Sequence, residues 1–125
     1  APDNTTRAVL FNYACHCTTL TGENLLINGD YAGFAMLELE KAMPGATALF
    51  VQGCAADQNP DPRGTVEHAR KYGKDLAETV RSVLAKEMKP ITGTLRGPDG
   101  VGHEFCGWIE LTQAVDGLRR PTSAA

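Results

Sequence analysis

Three apolar runs rich in β-forming residues alternate with two segments whose apolar residues recur every three or four positions. The first run, residues 8–15 (AVLFNYAC), reads as a strand buried on both faces, because strands covered by helices on two sides are apolar almost throughout. A polar, turn-prone stretch follows over 17–29 and ends in Asn28-Gly29. Asp30 is placed to cap a helix over 31–43 (YAGFAMLELEKAM), with Pro44-Gly45 stopping it. A second buried strand is predicted over 46–52 (ATALFVQ), and a long polar loop, GCAADQNPDPRG, then runs from Gly53 to Gly64.

Thr65 is placed to cap a long helix over 66–88. Val66, Ala69, Tyr72, Leu76, Val80, Val83, Leu84 and Met88 fall on one face of it. Gly73 inside this helix costs about 1 kcal/mol against alanine, so a close helix–sheet contact is expected there. After Pro90 a third strand is predicted over 91–96 (ITGTLR). Strand, helix, strand, helix, strand in this order predicts an α/β fold. Its mixed or parallel sheet would be flanked by helices, with all three strands sharing it through right-handed crossovers. Beyond Gly97 the pattern fades. GPDGVGHEFCG reads as a glycine-rich loop, WIELTQAV as a strand or short helix, and residues 98–125 as a tail of unassigned structure.

In open α/β sheets ligands gather beyond the carboxyl ends of the strands. The two polar clusters, CHCTT after the first strand and GCAADQNPDPRG after the second, both lie at such ends. If the two strands are neighbours, His16, Asp57 and Asn59 share one edge of the sheet. His16 then reads in two ways, as a strand-end histidine bonded to backbone or as a metal ligand. Cys15 and Cys17 would face away from His16 on a regular strand, and they read, with Cys54, as small packing residues. Asp57 and Asn59 can equally stabilise turns. His68, in the first turn of a helix, reads as solvated or capping, and His103 falls in the tail.

Composition narrows the classes. The chain has 125 residues, enough for one domain. Twelve basic against fifteen acidic side chains give a net charge of −3 with no basic block, which argues against nucleic acid as a partner. No apolar run approaches the ~20 residues of a membrane span, and no signal-peptide pattern is visible. The four cysteines include no C-x-x-C pair and do not suggest a disulfide scaffold. A start at Ala1 only a few residues before a strand, and an end in RPTSAA, read as a piece of a longer protein.

AVLFNYACHCTTL, INGDYAGFAMLELEK and GATALFVQGCAADQNPDPRG, in this order and spacing, resemble the amino-terminal catalytic domain of the neutral/alkaline (non-lysosomal) ceramidase family. The bacterial ceramidase-like branch is the most similar, and the resemblance covers about residues 7–97. It implies that residues 1–97 are part of a zinc-dependent amide hydrolase domain. The substrate would be ceramide or a related lipid amide, the partner the remainder of that domain, and the location secreted, periplasmic or membrane-associated. His16 matches one of the family's two zinc-binding histidines. Ala56 to Asp61 (ADQNPD) matches the segment written GDVSPN in ceramidases, whose serine lies close to the zinc and is given a catalytic part. Asp57 matches its aspartate.

Three departures accompany the match. Asn59 stands at the serine position, Cys17 stands where a proline usually follows the histidine, and the tail past Gly97 leaves the family pattern. The resemblance implies a second zinc histidine upstream of Ala1, and glutamate and tyrosine ligands beyond Ala125. This chain alone is accordingly expected to be inactive on ceramide and to bind zinc weakly. The competing reading is a non-catalytic α/β fragment or binding module with an incomplete metal site.

Overall fold

The computed structural model describes residues 5–96 and 102–108. Strand β1 (Ala8–Tyr13) leads through a long connection to helix α1 (Asp30–Ala42), strand β2 (Thr47–Gln52) and helix α2 (Val66–Leu84). Strands β3 (Pro90–Arg96) and β4 (Gly102–Trp108) close the described chain. Two compact units divide it, residues 1–81 and 82–125.

In the first unit β1 and β2 pair in parallel, with Ala8 opposite Thr47 and Tyr13 opposite Gln52. This is the α/β arrangement that the alternating pattern predicts, in its smallest form, with α1 packed on β2. Val9, Phe11 and Ala48 point inward and are buried, together with Tyr31, Ala32, Ala35 and Leu39 of α1. Tyr31 sits edge-on to both Tyr13 and Phe50, and Phe50 edge-on to Phe11. Offset aromatic contacts of this kind add about 0.5–1.5 kcal/mol per pair beyond area burial.

The expectation of burial on both faces does not hold. Leu10, Leu49 and Val51 alternate with the inward residues and are exposed. Successive strand residues face opposite ways, so what reads as one apolar run is two rows, and α1 covers one of them.

Gly73 of α2 lies against α1, not against the sheet. A Cβ there would stand 2.4 Å from the Phe34 Cβ and 2.7 Å from the Tyr31 carbonyl oxygen. The helices approach so closely that only glycine fits, which explains the tolerated helix-interior glycine. Ala69, Leu76 and Ala77 are buried beside it. Thr65 caps α2 as expected, its hydroxyl accepting from the His68 N–H at 3.2 Å. The helix ends at Leu84, one turn earlier than its apolar period suggests. Helix α1 begins one residue earlier than predicted, at Asp30, with Gly29 at the N-cap position. Its carboxyl end matches the sequence signal: Met43 N–H bonds the Leu39 carbonyl, and Gly45 follows at φ +91°.

In the second unit β3 pairs antiparallel with β4, Pro90 opposite Trp108 and Arg96 opposite Gly102. This corrects two expectations. The strand after Pro90 belongs to a separate two-stranded sheet, and most of GPDGVGHEFCG is strand. Antiparallel neighbours need only a short connection whereas parallel ones need a crossover, so a strand six residues away is the nearer partner. Most of the predicted tail, from residue 109 on, lies outside the described residues.

Candidate functional site

Because β1 and β2 are parallel, their carboxyl ends lie side by side, and the connections that leave them meet. The Gly53 N–H bonds the Tyr13 carbonyl at 3.0 Å, continuing the ladder past β2. A Cβ on Gly53 would stand 3.0 Å from that of Ala14, so glycine lets the two chains leave the sheet in contact.

His16 is then drawn to the loop that follows β2. Its backbone N–H donates to the Gln58 carbonyl at 3.0 Å, and its ring Nε2 lies 2.9 Å from the Ala56 carbonyl oxygen. The Thr18 hydroxyl donates to Asn59 Oδ1 at 3.0 Å, and Asn59 Nδ2 donates to the Asp57 carbonyl at 3.2 Å. The Asp57 carboxylate accepts from Gln58 Nε2 at 3.1 Å and is open to solvent. His16, Asp57 and Asn59 thus occupy one edge, as strand order alone anticipates. His16 is bonded to backbone, which is the first of its two readings, and an imidazole held in this way is also the usual setting of a metal-ligating histidine.

Behind His16, the Cys15 carbonyl accepts from Gln52 Nε2 at 2.8 Å and from the Tyr31 hydroxyl. Burial pushes the ionisation of Tyr31 far above its ordinary value, so this hydroxyl remains a donor at neutral pH. The Cys15 thiol is buried, and burial raises its pKa as well. Cys15 is therefore a packing residue, as expected, whereas Cys54 is exposed and Cys17, though exposed as a residue, directs its thiol to Gln52 Oε1 at 3.7 Å.

Asp30 is buried in the first turn of α1 at φ +54°. Its carboxylate accepts from the Leu20 N–H at 2.8 Å and the Tyr31 N–H at 2.7 Å. It binds the connection to the helix as well as satisfying a free helix N–H. On the far side, Gly64 N–H bonds the Thr19 carbonyl at 2.7 Å, and the Tyr72 hydroxyl donates to the Pro62 carbonyl at 2.6 Å. His68 stacks on Tyr72 with ring centroids 6.3 Å apart, away from the expected solvated state. His103 lies on β4, opposite Leu95.

The donors suit zinc only in part. Among the described residues no three His, Cys, Asp or Glu side chains come together as a metal-holding group. His16 can fill one position of a larger set. Sequence reasoning did not single out Thr18, Tyr31, Gln52 or Ala56. A tyrosine opening a helix and a glutamine ending an apolar strand are a usable signal, since their polar tips must find partners once buried. A backbone carbonyl carries no such signal. Among the described residues no helix is long and apolar enough to cross a membrane. Compared with family models, curated proteins and solved structures, the chain finds no match in any of the three.

Proposed function

We propose that this chain is part of a zinc-dependent amide hydrolase of the neutral ceramidase kind, contributing one metal ligand and one wall of the substrate site. What supports this reading is the joining of the CHCTT segment to the ADQNPD loop at the carboxyl ends of two parallel strands. Zinc, when bound, polarises an amide carbonyl and activates water for attack. His16 would hold the metal. Asn59 keeps a second amide hydrogen beyond the one given to Asp57, and it can donate that hydrogen to the carbonyl oxygen as charge develops. It cannot serve as a hydroxyl nucleophile or relay a proton as serine can. A lipid amide other than ceramide is therefore the favoured substrate.

The second reading, a non-catalytic α/β binding module, draws on a specific observation. Both polar atoms of the Asn59 side chain are already engaged, Oδ1 by the Thr18 hydroxyl and Nδ2 by the Asp57 carbonyl two residues back, the latter as in a turn residue. Zinc content and amide hydrolysis of the complete protein separate the two. The hydrolase reading expects stoichiometric zinc, cleavage of at least one lipid amide, and loss of both in His16→Ala. A protein free of zinc and inert on such a panel supports the binding module.

A further inference from the structure

We infer that Ala56 is a positioning residue that holds His16 in its Nε2–H tautomer, so that Nδ1 is the nitrogen this site offers to a metal. The choice of metal as the recipient rests on the hydrolase reading, but the orientation of the ring does not. A carbonyl oxygen can only accept, and Ala56 O stands 2.9 Å from His16 Nε2, within the range of an N–H···O bond. Nε2 must therefore carry the hydrogen, and a neutral imidazole then has its lone pair on Nδ1. The opposite tautomer would set two lone pairs against each other.

Both sides of this contact are held by further bonds. Ala56 has φ +47°, a left-handed conformation that alanine rarely adopts. Its turn is closed by the Gln58 N–H bonding the Ala55 carbonyl at 2.7 Å and is anchored by the buried Ala55 side chain. On the other side, Tyr31 and Gln52 hold the Cys15 carbonyl and Gln58 O holds the His16 N–H, so the peptide unit that leads into His16 is held at both its oxygen and its nitrogen. A strained alanine whose carbonyl meets a histidine forty positions away in the chain is a costly arrangement for a plain turn. It is the arrangement by which a ligand histidine is usually aimed.

Isotope-edited NMR of the imidazole nitrogens of the full chain, in mildly alkaline buffer, tests this directly. The expected spectrum shows His16 protonated at Nε2 and bare at Nδ1. A ring protonated at Nδ1, or averaging between the two forms, overturns the inference. Ala56→Gly keeps the carbonyl and accepts the left-handed conformation, so it should keep the single tautomer. Ala56→Val cannot sit comfortably at that φ and should lose it, with amide spectra monitoring the fold. A folded Ala56→Val that retains the Nε2–H form overturns the positioning role. If that variant does not fold, the wild-type and Ala56→Gly spectra decide.

Titration of the complete protein with zinc alone then addresses the metal, since a single imidazole in this chain is expected to bind it only weakly. Movement of the Nδ1 resonance supports the inference, and movement of Nε2 contradicts it. A correct tautomer with neither nitrogen responding upholds the orientation and removes the zinc reading. In the complete protein, Ala56→Val should weaken zinc binding by about 10–100-fold while Ala56→Gly does not.

Discussion

The connection between β1 and α1 has two halves that behave in opposite ways. Residues 14–20 contain no large apolar residue except Leu20, yet they are tied down: His16 and Thr18 to the loop after β2, Thr19 to Gly64, and Leu20 to Asp30. Residues 21–29 contain Leu25, Leu26 and Ile27, exposed to 92, 78 and 106%. The bonds of this second half are local, from Asn24 to Thr21 and Leu26 and from Asp30 to Asn28. Hydrophobicity is thus a poor guide to order in this part of the molecule. The half that carries the candidate site is held by directional bonds to groups distant in the chain, backbone and side chain alike, and the exposed apolar triplet contributes nothing to the core.

The sharpest way to break the contrast is at Asp30. In Asp30→Asn an amide group replaces one of two carboxylate oxygens that each accept a backbone N–H, so a donor faces a donor. The expected loss is about 2–3 kcal/mol in urea unfolding, since bonds to charged groups are the stronger kind. A loss below about 0.5 kcal/mol would mean that the first half is not held from α1.

Tyr31→Phe should cost about 1 kcal/mol, the usual net worth of a hydrogen bond, because the ring keeps its packing and the bond to Cys15 O goes. It should also change the alkaline limb. Burial raises the Tyr31 pKa above 10.0, so the folded chain keeps a proton that the unfolded chain releases. The stability due to this group is full below about pH 10 and falls as pH rises beyond it. Wild type should therefore lose stability above that point more steeply than Tyr31→Phe, and parallel curves would contradict the assignment.

Smallest of all should be the effect of changing Leu25, Leu26 or Ile27 to serine, within about 0.5 kcal/mol each. A large loss in any of them would show that the second half is ordered by contacts of its own.

The same contrast explains what the sequence reveals and what it hides. Element order, the parallel pairing, the Thr65 cap and the shared edge of His16, Asp57 and Asn59 follow from local chemistry and from chain order, so they are legible. The exposed outer row of Leu10, Leu49 and Val51 is not, because a run of apolar residues does not say how many sides are covered. The Gly73 contact is visible as an anomaly, but the partner, a helix and not the sheet, is a matter of tertiary packing. The β3–β4 pairing was hidden by glycines that read as a loop. Least legible is the Ala56 carbonyl, since a left-handed alanine has no signature in residue type.

That His16 and the ADQNPD loop act as one chemical site is tested most directly by the rate of lipid-amide hydrolysis in the zinc-loaded complete protein with Asn59→Ala. A single oxyanion donor is worth about 3–4 kcal/mol elsewhere. The account predicts a fall of about 10²–10³-fold in kcat/KM, with zinc content unchanged and Asn59→Ser retaining more activity than Asn59→Ala. Hydrolysis at the wild-type rate in Asn59→Ala would contradict it and leave Asn59 as a residue of the turn.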